Sequence, residues 1–317
     1  MKLIVTHTAS DLDAIASSWM IKRFVPGWEN SEVRFVGAGT KLAGKYLTGG
    51  EVIEKVIVSD EKDPNGEREA DVIHVDTGLT PLDHHQIASD DVCATSLAFE
   101  YAIKNNGDLA KDENKVDALK RIVQYSVDDD HFQEVFWVNP TADVYNFSIV
   151  GLISGIKLMY PKDDISVLNF GFDALDSAFH LFENHIWAEK EIKEKGIEFE
   201  TKWGKGLAVE TLNDTVLKLG QEMGYVITVR KDPETGNIRI KARPARRANS
   251  ENSKSEFESV DVDFTPVYEK LKEMDPESSW YLHISKRMLL NGSSKNPEMK
   301  GSKLTLDQVL EVIKSIK

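Results

Sequence analysis

The sequence feature that most constrains the fold is a short apolar run that leads directly into metal-ligand residues. Residues 3–5 are apolar and mostly β-branched, which predicts a buried strand, and residues 14–24 have an alanine-rich helical pattern. His7, Asp11 and Asp13 occupy the turn between them. In open α/β folds such a turn projects its side chains into the crevice at the carboxyl edge of the strands, where ligands bind. The pattern therefore predicts an α/β fold with a ligand site at this edge.

The three side chains of this turn suit a hard or borderline divalent ion. Imidazole nitrogens and carboxylate oxygens favour Mn²⁺, Mg²⁺ or Zn²⁺ over softer ions. The alternative interpretation is an Asp-rich turn that only caps a helix. The rest of the chain decides between them.

A second buried-strand pattern, over residues 70–75, also stops at an acidic residue, Asp76. We expect Asp76 to face the same crevice. The triplet Asp83, His84 and His85 follows, and two adjacent histidines after an aspartate are uncommon on a surface loop. The alternative for the triplet is a solvated polar loop.

A third acidic cluster, Asp128, Asp129, Asp130 and His131, stands at the end of a predicted helix over residues 114–127. Carboxylates at a helix C-terminus oppose the helix dipole, so a bound cation would stabilise them there. For an isolated cluster, a solvated charge run is the alternative.

Composition limits the class of protein. A net charge of −14 argues against broad, nonspecific binding of duplex nucleic acid, although it allows a local basic groove. The single cysteine, Cys93, excludes an internal disulfide and a Cys-based zinc site, and we expect it to be buried. Because the sequence has neither a long apolar run nor a leader pattern, we expect a cytoplasmic protein with no membrane partner.

The length of 317 residues predicts two domains. We expect a catalytic domain over residues 1–172, with a mainly parallel sheet flanked by helices. A connector helix follows over 173–198, and a smaller mixed α+β substrate-binding domain over 199–317. Within the first domain, residues 60–69 are predicted to form a polar loop, and 143–160 one largely buried helix.

Two segments of the second domain are candidates for substrate binding. A predicted hairpin carries a basic patch in an otherwise acidic protein, although a solvated hairpin face is an equal alternative; its residues are Arg230, Lys241, Arg243, Arg246 and Arg247. A glycine- and hydroxyl-rich turn could hold a phosphate with its backbone N–H groups; its candidate residues are Asn291, Gly292, Ser293 and Lys295.

The order of the acidic and histidine motifs, H-x-x-x-D-x-D, then D, then D-H-H, then D, resembles the DHH phosphoesterase superfamily over the first half of the chain. The second half lacks the G-G-G-H substrate loop usual in that superfamily. Its segment W-Y-L-H-I-S-K-R-M-L-L-N-G-S-S-K is similar, in spacing and a few residues, to the corresponding part of the MYG-type exonuclease branch.

The resemblance implies a site for two Mn²⁺ ions, with Mg²⁺ as the alternative. It implies that His7 and Asp11 bind one ion, that Asp13, His84 and Asp128 bind the other, and that Asp76 bridges both. Among residues 128–130 the ligand is open, and Phe132 four positions on favours Asp128.

The same resemblance implies that His85 contacts the scissile phosphate and that Asp83 supports the histidine pair. The leading hypothesis is two-metal hydrolysis of phosphodiesters in short single-stranded RNA or DNA, in which the metals acidify a water and clamp the reacting oxygens. A phosphohydrolase for pyrophosphate, polyphosphate or a cyclic dinucleotide is the alternative within the enzyme class. A nucleotide sensor without turnover and a structural metal site are the alternatives outside it. The oligomeric state stays open.

Overall fold

The computed structural model describes residues 1–60, 63–245, 260–293 and 295–317. These residues form two units, 1–183 and 184–317. The division falls inside one continuous helix, Asp164–Lys195, which contains most of the predicted connector. The protein is an α/β protein with two mixed sheets.

The sheet of the first unit has the strand order β2-β1-β5-β4-β3. Its strands are β1 (Lys2–His7), β2 (Glu32–Val36), β3 (Lys45–Tyr46), β4 (Glu54–Asp60) and β5 (Asp63–His74). The central β1 runs parallel to β2 and β5, but β4 is antiparallel to both β5 and β3. The prediction of a mainly parallel sheet was therefore wrong. Asp60 pairs directly with Asp63, and strands connected over so short a distance can pair only antiparallel.

The predicted loop over residues 60–69 was also wrong, because β5 already begins at Asp63; residues 61 and 62 lie outside the described residues. Glu67, Arg68 and Glu69 are exposed while their backbone pairs with β4. Their polarity reflects exposure to solvent and does not indicate a loop.

The core of the first unit is built on β1 and helix α1 (Leu12–Phe24). Leu3, Ile4 and Val5 are fully buried, as expected for a strand covered on both faces. Ten consecutive residues of α1, from 12 to 21, are buried. The helix begins at the N-cap Asp11, whose side chain accepts a hydrogen bond from the backbone N–H of Ala14 at 3.1 Å. This core fixes the turn at the end of β1.

The remaining helices of the first unit are α2 (Ala94–Asn105), α3 (Gly107–Lys111), α4 (Glu113–Asp130), α5 (Ile149–Met159) and α6 (Asp164–Lys195), of which α6 continues into the second unit. The single buried helix predicted over 143–160 was wrong. A 3-10 helix, Asp143–Phe147, is separated from α5 by Ser148, whose hydroxyl accepts from Gly151 N–H at 3.2 Å. Such a cap starts a new helix. Only Ile153 of α5 is buried.

The second unit is a six-stranded sheet in the order β10-β11-β9-β8-β7-β6, with β7 and β8 parallel and the other pairs antiparallel. Its strands are β6 (Ile197–Thr201), β7 (Gly204–Glu210), β8 (Ile227–Lys231), β9 (Ile238–Ala242), β10 (Tyr281–Leu282) and β11 (Met288–Leu290); its helices, besides the end of α6, are α7 (Thr215–Glu222), α8 (Thr265–Met274) and α9 (Leu306–Lys314). Phe264, Val267, Leu271, Val309 and Ile313 are among its fully buried core residues. Within the described parts of the chain, no helix is long and apolar enough to cross a bilayer.

Candidate metal centre

Asp76 lies at the centre of a cluster of histidines and carboxylates in the first unit. It follows the end of β5, is buried, and has a backbone φ of 53°, a left-handed conformation that aspartate tolerates better than most residues. Its Oδ2 lies 3.1 Å from His7 Nε2, and its Oδ1 lies 3.4 Å from His84 Nε2. Burial alone would raise the pKa of Asp76, but the hydrogen bond from His7 and the positive charges of His7 and His84 hold it below its usual value.

The parallel pairing of β1 with β5 brings the first motif to Asp76, because the carboxyl ends of parallel strands meet at one edge. His7 is the last residue of β1, and its Nε2 lies 3.9 Å from Asp11 Oδ2. Asp11 also caps α1. It therefore has both roles: it caps the helix, as the alternative interpretation held, and it lies in the cluster. Burial lowers the pKa of His7, but Asp76, the Thr8 carbonyl and Asp11 outweigh it and raise the pKa to about 9.

On the other side of Asp76, His84 faces two further carboxylates. Its Nε2 lies 3.7 Å from Asp13 Oδ2 and 3.5 Å from Asp130 Oδ2. The contact with Asp76 at 3.4 Å, together with the charges of Asp130 and Asp13, outweighs burial and raises the pKa of His84 to about 9.

Asp13 is buried and is held by the first turn of α2. Its carboxylate accepts the backbone N–H groups of Ala94 and Thr95, each at 2.7 Å, and the Thr95 hydroxyl at 2.6 Å. A helix N-terminus stabilises a negative charge. Burial and the nearby charge of Asp76 nevertheless raise the pKa of Asp13 above its usual value.

Asp83 orients the ring of His85. The resemblance to the DHH superfamily implied that Asp83 supports the histidine pair. The fully buried Asp83 accepts from His85 Nδ1 at 2.7 Å and from the backbone N–H of Leu79 at 2.7 Å. Because a carboxylate only accepts, Nδ1 carries the proton. The other ring nitrogen is therefore left for a ligand, and the side chain is 58% exposed.

The structure brings Asp130, and not Asp128, to His84. Asp128 Oδ1 instead accepts from Gln124 Nε2 at 2.8 Å on the exposed side of α4. Residues two apart on an α-helix point about 200° apart, so the two carboxylates cannot share a face. Burial first, then the charges of Glu134 and Asp11, raise the pKa of Asp129 to about 6.

His131, which the sequence reasoning mentioned but did not assign, stands beside Asp130. Its Nε2 lies 3.7 Å from Asp130 Oδ2 and donates to the carbonyl of Val92 at 3.0 Å. A protonated nitrogen cannot bind a metal, so this contact gives His131 a positioning role through Nε2. The run D-D-D-H was the only sequence signal for it.

These side chains fit divalent cations. Asp76 Oδ1 and His84 Nε2 are buried and have no hydrogen-bond partner among the described residues. Buried polar atoms are normally paired, so both atoms require a partner. Among the described residues, ligand atoms within 4.8 Å of one another include three overlapping sets: His7, Asp11 and Asp76; Asp76, His84 and His85; and His84, Asp130 and His131. In the last two sets, His85 Nδ1 and His131 Nε2 already donate to Asp83 and to the Val92 carbonyl. Nitrogen and oxygen donors of this kind suit Mn²⁺, Mg²⁺ or Zn²⁺.

Beneath the cluster, a buried network that sequence reasoning missed fixes the end of β5. Leu42 N–H donates to His74 Nε2 at 3.1 Å, so the His74 proton is on Nδ1, which lies 3.3 Å from Glu54 Oε2. Lys41 Nζ contacts Glu54 Oε1 at 2.8 Å. Burial lowers the pKa of His74 to about 4. This neutral histidine lies two residues before Asp76.

The candidate substrate residues of the second unit are largely engaged within that unit. The buried Asn291 accepts from Ile238 N–H and donates to Ser278 Oγ at 2.9 Å. Gly292 has a φ of 156°, Ser293 forms an isolated bridge with Asn296, and Lys295 is exposed.

In the basic hairpin, Arg230 is nearly buried and donates to Asp232 Oδ2 at 2.9 Å and to the Thr211 carbonyl at 2.9 Å. Arg243 donates to the Gly224 carbonyl at 2.9 Å, and Lys241 is partly buried. Arg246 and Arg247 lie outside the described residues. Most of the described patch therefore serves internal contacts.

Comparison with known proteins adds little. No family model matches the chain, and no curated protein matches it. Among solved structures, it is similar to an uncharacterized protein from Helicobacter pylori G27 at 10% sequence identity, with both chains covered completely and a TM-score of 0.23. A similarity at that score supports no argument about function.

Proposed function

We propose that this protein is a two-metal-dependent phosphoesterase of the DHH type that hydrolyses phosphodiester bonds. The observation that carries the proposal is the position of Asp76, whose two carboxylate oxygens face two different histidines. A carboxylate in this position can bridge two cations. His7 and Asp11 would hold one, and Asp13, His84 and Asp130 the other.

The side chains around Asp76 have complementary roles in this proposal. Bound divalent ions would supply positive charge to the phosphoryl oxygens and acidify the attacking water. His85, held by Asp83 through Nδ1, would present Nε2 to the phosphate, and as an imidazolium it would stabilise the charge that develops there. The first turn of α2 holds Asp13 in place, so that it does not reorganise during the reaction.

For the substrate, short single-stranded RNA or DNA is our first proposal. A small phosphate compound, such as pyrophosphate, polyphosphate or a cyclic dinucleotide, is favoured by one observation: Arg230 and Arg243 of the basic hairpin bond to their own unit. Long polyanions are usually held by a row of free cations.

The test is Mn²⁺-dependent turnover of a substrate panel holding a short RNA, a short DNA, a cyclic dinucleotide, pyrophosphate and bis-p-nitrophenyl phosphate. Asp76→Asn should abolish turnover, whereas Asp117→Asn, which changes an exposed carboxylate elsewhere on α4, should not. Wild-type rates in Asp76→Asn would end the proposal. Binding of two Mn²⁺ per chain without turnover of any substrate would favour the sensor alternative.

A further inference from the structure

The first unit contains a second cavity beside the metal centre. It has a volume of about 440 Å³ and lies between α4, the two 3-10 helices Gln133–Phe136 and Asp143–Phe147, and α5. Small-molecule sites typically have volumes of about 300–1,000 Å³. Six lining residues carry the argument: Tyr125, Asp129, Glu134, Trp137, Tyr145 and Gly155. We refer to this cavity as the aromatic-carboxylate pocket.

One side of the pocket is a wall of three aromatic rings. The ring centroids of Tyr125 and Trp137 are 5.9 Å apart, and those of Trp137 and Tyr145 are 5.2 Å apart. Tyr145 is fixed by its hydroxyl, which donates to the Val138 carbonyl at 2.7 Å. Adjacent rings are tilted by 40° and 48° from one another, so each ring offers a separate aromatic face. A flat heterocycle can stack on such a surface.

The pocket is also lined by two carboxylates, one of which has a buried oxygen without a hydrogen-bond donor among the described residues. Asp129 and Glu134 are close enough for their charges to interact. Glu134 Oε2 is buried and accepts no hydrogen bond from the described residues. No lysine or arginine lines the pocket. A ligand that fits must therefore bring hydrogen-bond donors to the carboxylate edge of the pocket, because a buried acceptor such as Glu134 Oε2 is normally hydrogen-bonded.

Among the nucleobases, guanine matches this requirement. Its Watson–Crick edge presents a ring N–H and an exocyclic NH₂ side by side, and two acceptor groups can receive both. Adenine and cytosine place an acceptor next to their amino group. That acceptor would face a carboxylate oxygen, which is also an acceptor. Uracil and thymine have a single N–H between two carbonyls.

We infer that the aromatic-carboxylate pocket binds the guanine base of a nucleotide whose phosphate lies at the metal centre. Asp129 in the pocket is the chain neighbour of Asp130 in the metal centre, and its charge interacts with those of Asp11 and Asp130. The two sites therefore adjoin. The inference rests on the proposed function, and it assigns base selection to the first unit.

The experiment measures binding of guanosine, inosine, adenosine and uridine to the Mn²⁺-loaded protein by calorimetry, with choline as a cationic probe. Nucleosides carry no phosphate, so binding is read without turnover. Guanosine should bind at least about tenfold more tightly than inosine, which lacks the exocyclic amine, because a hydrogen bond to a charged acceptor is lost. Glu134→Gln should remove this preference while Mn²⁺ binding is kept.

A second pair of variants controls for misfolding. A Cβ at Gly155 meets no atom within 4 Å, so the position accepts a side chain without strain, and alanine there favours the helix. Gly155→Leu should narrow the pocket and weaken guanosine binding at least about tenfold, whereas Gly155→Ala should retain it. Equal affinity for all four nucleosides, or binding of choline but not guanosine, would overturn the inference.

The outcomes separate the two proposals. Hydrolysis without any base preference would leave the proposed function standing and overturn the inference. Guanosine binding that depends on Glu134, with no hydrolysis of any substrate, would support the pocket and overturn the proposed function.

Discussion

Asp13 and Thr95 are 82 residues apart in the chain, yet both donors of Thr95 bind the same carboxylate oxygen. The backbone N–H of Thr95 lies 2.7 Å and its hydroxyl 2.6 Å from Asp13 Oδ1. The other oxygen, Oδ2, faces His84 at 3.7 Å. Oδ2 also accepts the backbone N–H of Ala94 at 2.7 Å, so the start of α2 decides which oxygen Asp13 presents to His84.

Thr95→Val should therefore weaken Mn²⁺ binding. The substitution keeps the shape of the side chain but removes the hydroxyl, and losing a hydrogen bond to a metal-binding carboxylate typically costs about 10–100-fold in affinity. Thr95→Ser keeps the hydroxyl and should bind Mn²⁺ close to wild type. Calorimetric titration measures both. Unchanged affinity in Thr95→Val would show that the hydroxyl does not orient Asp13.

Asp130→Asn should reduce Mn²⁺ affinity more than Asp128→Asn. Asp130 lies 3.5 Å from His84, whereas Asp128 bonds to Gln124 on the exposed side of the helix. The two variants make the same change at positions two residues apart on α4 and so serve as controls for each other. Titration with Mn²⁺ distinguishes them, and a larger loss in Asp128→Asn would restore the ligand expected from the sequence.

Metal binding should release protons and strengthen as the pH rises. The folded protein raises the pKa of both His7 and His84 from 6.5 to about 9, so near neutral pH both imidazoles are protonated without metal. A metal ligand must be unprotonated. Calorimetry in two buffers with different ionisation enthalpies counts the protons released. An apparent affinity that does not change between neutral pH and pH 9 would contradict this prediction.

The same raised pKa values make the metal-free protein less stable as the pH rises, whereas metal binding strengthens. A pKa raised on folding contributes stability that is fully present below pH 6.5 and is lost as the pH rises through about 9. Metal binding therefore replaces, at higher pH, the stabilisation that the protonated histidines supply at lower pH.

The buried His74 should make the protein sensitive to acid. Its pKa is lowered from 6.5 to about 4, so the unfolded chain takes up a proton before the folded one does. Stability is full above pH 6.5 and declines as the pH falls toward 4, by on the order of 3 kcal/mol. His74→Gln can still accept from Leu42 and donate to Glu54, but it does not titrate. Urea unfolding across this range should show a shallower decline in the variant, and identical slopes would exclude His74 as the cause.

Part of the site could be predicted from local sequence. His7, Asp11 and Asp13 follow β1, Asp76 follows β5, and strand ends that are parallel and adjacent must meet at one edge. The buried strand patterns at residues 3–5 and 70–75 were enough to expect this meeting. The support of the histidine pair by Asp83 was expected only from the resemblance to the DHH superfamily.

Other features depended on contacts that the sequence does not encode locally. Residues 67–69 are all charged and exposed, but their pairing with β4 makes them strand. Asn291 lies in a phosphate-loop pattern, but its side-chain amide accepts a hydrogen bond from Ile238 N–H and donates one to Ser278 Oγ. Backbone pairing and hydrogen-bond partners come from distant segments, so local composition cannot predict them.

The sequence by itself determined the strand-to-turn motifs and the ligand chemistry at the end of β1 and β5, because these depend on side-chain types and on a strand period of two residues. Only the tertiary structure decided that Asp130 and not Asp128 faces His84, since the rotation of α4 about its axis is set by which residues its packing buries. It likewise decided that Thr95 holds Asp13, because α1 and α2 meet only in the folded chain.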